Sequence, residues 1–373
     1  MQPATKLPKY PPVFFVRITD SVRRKLVRLS RRFTHPNVTM LEHMQNLWLL
    51  GAISVANELG IADILNNGSR TAGEIASLTG TVEDPLYRIL RLLASEGIFR
   101  ESKDNRFSNT RVSESMKEEE LKFFIQHTLN SMQFRIFGEL MHSVRTGRRS
   151  SELFVETGVF EHMGKSQQLN DLYNKAMTNT SKMQVAAILS SFSFSKFKHV
   201  VDVGGGLGFF ISALLSKYEN MQGTLFDLPQ VIDDPQKSED LNSFAGRLKT
   251  VSGSFFNTIP ANGDLYTLKN ILHGWNDENC IRILKNIRKA MNPDGCLMII
   301  EVLVEGLNKP SWGKMSDIFM MAGLDGRERT GEEFKSVLIQ AGFKFEQIRK
   351  TVSPLSLIIA SPYRRNQDSK IYL

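Results

Sequence analysis

The chain has 373 residues, 47 of them Lys or Arg and 39 Asp or Glu, for a formal net charge of +8. A 41% hydrophobic and 23% charged composition belongs to a globular protein that buries a sizeable core, and it excludes collagen-like, disordered and disulfide-framework classes. Nine basic residues (Lys6, Lys9, Arg17, Arg23, Arg24, Lys25, Arg28, Arg31, Arg32) and one acid, Asp20, fall within residues 1–35, leaving 38 of each sign elsewhere. The excess belongs to the N-terminus, so the charge is no sign of a nucleic-acid surface on the folded body. Cys280 and Cys296 lack metal-ligand spacing and fit reduced thiols in a reducing compartment.

In residues 13–33, Phe15, Ile18, Val22, Leu26, Leu29 and Phe33 recur at steps of three and four. That is one stripe of an amphipathic helix, with arginines on the other faces. From 40 to 100 the pattern is helical. Thr71 stands three residues before Glu74, a capping-box spacing, and Pro85 suits the first turn of a helix over 84–96. Residues 97–101 and 105–108 read as a two-stranded wing, which completes a winged-helix pattern. A DNA-reading helix needs a polar, basic face. Residues 84–96 offer Tyr87, Arg88 and Arg91 but are dominated by leucine and isoleucine, so packing or dimerisation is expected and no nucleic-acid partner. Residues 118–190 continue as helices with scattered Phe and Met side chains, which either fill a core or line an apolar pocket.

After Phe197 strands alternate with helices. Strands are expected at 199–203, 223–226, 248–251, 265–268, 297–304, 343–349 and 355–360, and helices at 209–217, 278–291 and 331–341. This is an α/β chain with a doubly wound, mostly parallel, Rossmann-like sheet that binds ligands at the carboxyl ends of its strands. The domains read as a basic arm (1–36), a winged-helix-like dimerisation domain (37–115), a helical linker that contributes to a substrate pocket (116–195) and a nucleotide-binding domain (196–373). No uninterrupted apolar run reaches the roughly 20 residues needed to cross a bilayer. The Arg-rich, acid-poor N-terminus leaves a transit peptide as an alternative to a cytoplasmic location.

The stretch Val200-Val201-Asp202-Val203-Gly204-Gly205-Gly206-Leu207-Gly208 runs from a buried strand through a glycine loop into a helix. Glycines there allow positive φ and close approach to a nucleotide. The dinucleotide fingerprint would need glycine at 209, which is Phe209, and no Gly-Lys-Ser/Thr follows for a phosphate loop. Instead Asp202 precedes Gly204, Gly206 and Gly208. Asp227 ends the second strand, where an acid can take ribose hydroxyls.

The strings VDVGGGLG, FDLPQVI, LKNILHGW and GRERT resemble the small-molecule O-methyltransferases that use S-adenosylmethionine, especially the plant phenolic and hydroxyindole type and its bacterial natural-product relatives. The resemblance runs from about Asn37 to near the end of the chain. It implies that Gly204, Gly206 and Gly208 pass the methionine part of the cofactor, that Asp227 and Leu228 meet the ribose side, and that Phe255 stacks on adenine. Ser254 stands where the family usually has an aspartate near the adenine amine. Lys269 matches a lysine beside the cofactor, and Ser181 a serine near its carboxylate.

His273 matches the family's general base. A phenol titrates near pH 10, so a neutral imidazole must remove its proton as the oxygen attacks. Glu301 and Glu328 match the acids that orient the ring. No metal is implied. Gly274 replaces a common aspartate, which opens space beside the reacting hydroxyl. Phe134, Phe160, Met163, Met177, Trp275 and Met320 are the expected pocket lining. The resemblance thus implies methylation of a phenolic or enolic hydroxyl on a small apolar secondary metabolite, by a homodimer. Two other readings stay open: non-methylating chemistry on the same cofactor, and a non-catalytic binding protein. The arm has two readings as well, contact with an anionic membrane or packing across the dimer.

Overall fold

Two folding units divide the chain in the computed structural model, which describes residues 11, 13–117, 120–155, 157, 159, 162, 166–233 and 239–363. One comprises residues 18–135 and 163–180, the other residues 1–17, 136–162 and 181–373.

In the first unit, the apolar stripe of the arm forms α1 (Val13–Phe33), which has no buried residue. Pro36 opens α2 (Pro36–Glu58), and the His35 side chain accepts the Asn37 N–H in front of it. Then come α3 (Ile61–Ile64), α4 (Ala72–Thr79) and α5 (Glu83–Ser95). The capping box forms as its spacing predicts: Thr71 Oγ1 accepts the Glu74 N–H at 3.2 Å, and Glu74 Oε2 accepts the Thr71 N–H at 2.7 Å. Helix α5 turns Leu86, Leu90 and Leu93 inward at steps of four and three, against Ile61, Ile75, Phe99 and Phe107. The wing has a third strand that its two-residue length hides in the sequence. Strands β1 (Arg70–Thr71), β2 (Phe99–Glu101) and β3 (Arg106–Asn109) pair antiparallel in the order β1-β3-β2. Along α2, Met40, Leu41, Met44, Leu47 and Trp48 remain exposed. The bundle continues through α6 (Lys122–Thr128), tied to α2 by Asn57, which donates to the Lys122 carbonyl at 3.0 Å. Helices α7 (Ser131–Gly138) and α9 (Gln167–Ser191) carry residues of both units, and α8 (Leu140–Thr146) belongs to the second. No single helix among the described residues is long and apolar enough to cross a membrane, though the bent pair Pro36–Glu58 with Ile61–Asn67 passes on length and composition.

The second unit holds a seven-stranded sheet of β4 (His199–Val203), β5 (Gln222–Asp227), β6 (Leu248–Ser252), β7 (Leu265–Lys269), β8 (Cys296–Val302), β9 (Phe343–Lys350) and β10 (Leu355–Pro362). Its order is β6-β5-β4-β7-β8-β10-β9. Every expected strand is present within two residues at either end. The first five run parallel, whereas β10 pairs antiparallel with both β8 and β9; the four-residue turn from β9 to β10 returns the chain in that sense for the second pair. Burial alternates with period two: Val200 packs on one face with Phe210, Ile211 and Leu214, and Val201 and Val203 on the other with Ile283, Leu284 and Ile287. The covering helices are α10 (Phe209–Lys217), α11 (Pro229–Ile232), α12 (Asp277–Ala290), α13 (Trp312–Gly323) and α14 (Gly331–Gln340). The chain winds β4-β5-β6 in one direction and then restarts at β7 on the other side of β4. The crevice at the carboxyl ends of β4 and β7 is the topological switch point, where such sheets bind ligands.

Candidate active site at the sheet switch point

The glycine loop leaves β4 with Gly204, Gly206 and Gly208 at φ values of 71°, 60° and 82°, in the left-handed region that other residues avoid. Asp227, at the end of β5, holds this loop. Its Oδ2 accepts the Gly206 N–H at 2.8 Å and its Oδ1 accepts the Leu228 N–H at 2.7 Å. Burial raises its carboxyl pKa, against those two hydrogen bonds. Gly205, which the spacing argument passed over, is needed for room: a Cβ there would stand 2.4 Å from Leu225 Cδ1 and 2.7 Å from Asp202 Oδ2.

Beneath the loop lies a polar group that is almost entirely buried. Asp202 accepts the Thr267 hydroxyl at 2.7 Å, and burial pushes its carboxyl up to about 6 despite that bond and the nearby Lys269. Lys269, at the end of β7, places Nζ 3.1 Å from Ser181 Oγ and 3.5 Å from Gln184 Oε1. Burial lowers its pKa, and the charges of Asp202 and Glu301 resist the drop. Gln184 also accepts from Asn270 Nδ2 at 3.1 Å. It lies one helical turn below Ser181 on α9, a spacing that would have revealed it. After β6, Ser254 uses its hydroxyl locally to accept the Phe256 N–H at 3.3 Å. Phe255 and Phe256 meet Trp275 edge-on, with ring centroids 5.9 and 4.8 Å away.

His273 sits on the single 3-10 turn Leu272–Gly274 that follows β7. Its Nδ1 lies 3.2 Å from Glu328 Oε1 and 3.5 Å from Glu301 Oε2. Both acids are buried. Glu301 Oε1 accepts the backbone N–H groups of Ile271, Leu272 and His273 at 2.9, 2.8 and 3.4 Å, so the acid holds the turn as well as the ring. Glu328 Oε1 also accepts the Ser316 hydroxyl at 2.9 Å, and the Glu328 N–H donates to Asp317 Oδ1 at 2.8 Å. Burial alone would push the imidazole pKa down. The charge of Glu301 and the hydrogen bond and charge of Glu328 outweigh burial and lift it to about 9, with Arg329 opposing. The other ring nitrogen, Nε2, has no hydrogen-bond partner among the described residues, and the ring is one-fifth exposed. The three donor atoms lie within 4.8 Å of one another, a spacing that a metal ion also tolerates. Glu328 hydrogen-bonds Nδ1, whereas Glu301 Oε2, buried and without a hydrogen-bond partner among the described residues, faces it through charge.

The expected pocket residues are dispersed. Trp275 packs on the aromatic pair, and Met320 is buried on α13, whose neighbouring Phe319 meets Phe137 at 5.9 Å. Phe134 and Met177 are half-buried in the first unit. Phe160 and Met163 lie outside the described residues. A Cβ at Gly274 would meet nothing within 4 Å. Helix α13, which supplies Ser316 and Asp317, is absent from the expected elements, although Trp312, Met315, Phe319 and Met320 carry a helical period.

The sequence model of the O-methyltransferase domain matches residues 137–344, and that of the O-methyltransferase dimerisation domain matches residues 41–118. Phenazine O-methyltransferase PhzM of Lysobacter antibioticus is 33% identical over 331 residues, covering 87% of this chain and 95% of that protein. The crystal structure of CalO1, a methyltransferase of calicheamicin biosynthesis in its SAH-bound form, aligns at a TM-score of 0.78 with 29% identity, covering 88% of this chain and 98% of that one. NcsB1, an O-methyltransferase from neocarzinostatin biosynthesis solved with S-adenosylmethionine and 2-hydroxy-5-methyl naphthoic acid, aligns at 0.72 with 29% identity, covering 84% and 96%. A positive-φ glycine loop, an acid at the end of β5 and a buried lysine at the switch point suit that cofactor. The chain therefore belongs to the O-methyltransferase family, and it is an S-adenosylmethionine-dependent enzyme with the family's dimerisation domain.

Proposed function

We propose that this enzyme methylates a phenolic or enolic hydroxyl of a small, largely apolar aromatic metabolite, with His273 as general base. The observation that carries the reading is a ring hydrogen-bonded at Nδ1 by buried Glu328 and faced there by the charge of buried Glu301, while Nε2 has no hydrogen-bond partner among the described residues. Bound S-adenosylmethionine supplies an electrophilic methyl group. Gly204, Gly206 and Gly208 would admit it, with Asp227 and Leu228 on the ribose side, Phe255 at the adenine, and Lys269 and Ser181 toward the carboxylate. Ser254 offers only a short hydroxyl already engaged by the backbone. Neutral His273 takes the acceptor proton at Nε2, and Glu301 and Glu328 stabilise the imidazolium that results. Trp275, two residues after the base, and Met320, one turn along α13 from Ser316, would supply apolar lining. Gly274 leaves room beside the hydroxyl. The ring-hydroxylated 2-hydroxy-5-methyl naphthoic acid in the NcsB1 complex supports this substrate class. Incubation with a panel of phenols and methyl-labelled cofactor tests it by product mass. One added methylene supports the reading, and a cofactor-dependent rearrangement without mass gain overturns it.

We further propose that two copies pair through the exposed apolar face of α2, and that the cytoplasmic enzyme touches an anionic membrane through α1. Phe15, Ile18, Val22, Leu26, Leu29 and Phe33 are exposed on one stripe of α1, and Arg17, Arg24, Arg28 and Arg31 lie on the opposite side. This distribution matches an interfacial helix on anionic lipid. The arm also precedes residue 41, where the dimerisation match begins. Flotation of the full chain with phosphatidylcholine vesicles, with and without phosphatidylserine, tests it. Binding that requires phosphatidylserine and is lost in the triple variant R24E/R28E/R31E supports the idea. Equal recovery of both proteins overturns it.

A further inference from the structure

Arg329, in the string Gly326-Arg327-Glu328-Arg329-Thr330, is fully buried and so far has entered only as a charge opposing protonation of His273. All five of its N–H donors are used. Nε and Nη2 donate to Asp277 Oδ1 at 2.9 and 2.7 Å, Nη1 to the carbonyls of Leu272 and Arg327 at 3.0 and 3.4 Å, and Nη2 to the Trp275 carbonyl at 2.8 Å. Leu272 and Trp275 bracket the one turn that carries His273. Asp277 begins α12 directly after it.

The backbone of Arg329 is equally committed. It bridges Leu303 in the parallel sense, and its carbonyl accepts the Val304 N–H at 3.0 Å, just beyond the end of β8, the strand that carries Glu301. Glu328 is its immediate neighbour. One residue thus joins the base turn, the segment bearing one acid and the strand bearing the other. The approach is close: a Cβ at Gly326 would stand 2.0 Å from the His273 carbonyl oxygen. A buried arginine is costly unless each donor is satisfied, and only a planar fork with five donors spans this set of acceptors.

We propose that Arg329 is a positioning residue for methyl transfer, a clamp that fixes the His273 turn at its working distance from Glu328 and Glu301. The proposal rests on the reading of His273 as the base. Lysine is a point donor and cannot bridge both sides of the turn, so Arg329→Lys keeps the charge and loses the clamp. Misplacement of the base by an ångström costs about a hundredfold in rate.

The test is steady-state kinetics of Arg329→Ala and Arg329→Lys, with S-adenosylhomocysteine binding by calorimetry and thermal melting on the same samples. The expected result is a roughly hundredfold fall in kcat for both variants. KM and S-adenosylhomocysteine affinity stay within about threefold, and added guanidinium partly restores kcat in Arg329→Ala alone. Asp277→Asn leaves the arginine in place and weakens one anchor. It keeps the result readable if Arg329→Ala does not fold, and a fall of several-fold in its kcat is expected. Unchanged kcat in Asp277→Asn and Arg329→Lys overturns the clamp, as does a loss in Arg329→Ala that tracks cofactor affinity without rescue. His273→Ala run in parallel separates the two readings: if it turns over normally, the base assignment fails, whatever Arg329 does.

Discussion

Glu301 meets His273 twice, through Oε2 at 3.5 Å from the ring Nδ1 and through Oε1 at 3.4 Å from the same residue's backbone N–H. The acid therefore fixes both the charge and the position of the imidazole. In Glu301→Gln the amide oxygen can still accept the turn's N–H groups, but the charge facing the ring is gone. The expected result is a fall in imidazole pKa from about 9 toward its ordinary range, read by NMR titration of the ring. A titration unmoved by the substitution would refute the electrostatic account.

The raised pKa also sets the pH response. With the imidazole protonated below about 9, the ligand-free enzyme holds mostly imidazolium at neutral pH. A base is active only when deprotonated, so kcat/KM is expected to rise about tenfold per pH unit through the neutral range and level off near the ring's pKa. An acceptor phenol acidic enough to be ionised throughout would lose this limb, because it needs no base. Profiles for two phenols of different acidity, measured side by side, check the prediction. The same shift is linked to stability. The ring's contribution is fully present below its ordinary pKa of 6.5 and is lost as pH rises through about 9.

His273→Ala removes the base but leaves the glycine loop, Asp227 and Lys269 in place. Turnover is expected to fall by about 10²–10⁴-fold with S-adenosylhomocysteine affinity unchanged. Single-turnover transfer and calorimetry together read this split.

Gly205→Ala places a methyl group against Leu225 and Asp202, both buried. Crowding of this kind costs about 1–3 kcal/mol. Because the same residue lies in the loop that Asp227 holds, S-adenosylhomocysteine affinity should fall together with the melting temperature. Denaturant unfolding and calorimetry measure the two effects.

On α2, Leu47 and Trp48 are 61% and 66% exposed. Charges on an apolar face that a second copy must cover are strongly unfavourable, so L47D/W48D is expected to yield monomers. Light scattering of the double variant beside the unaltered chain would show it.

The seven strands and the glycine loop were legible in the sequence, because they follow from local rules: period-two burial in strands and positive φ at glycine. The lysine, serine and glutamates of the site came only with the resemblance to O-methyltransferases. The sequence also carried Thr71 and Glu74 to their capping box, since both partners lie within one turn. Strand β1 and helix α13 escaped, the first because two residues hold no period, the second although Trp312, Met315, Phe319 and Met320 carry a helical one. Tertiary structure alone decided what happens at His273. Residues 273, 301 and 328 come from a turn, a strand and a loop, and no periodicity links them. The sheet order that sets β8 beside β7 brings Glu301 under the base turn. The close approach permitted by Gly326, with the five donors of Arg329, brings Glu328 to the same ring nitrogen. The protonation state of the base is a property of that convergence, because it depends on charges many residues apart in sequence and 3.2 and 3.5 Å apart in space.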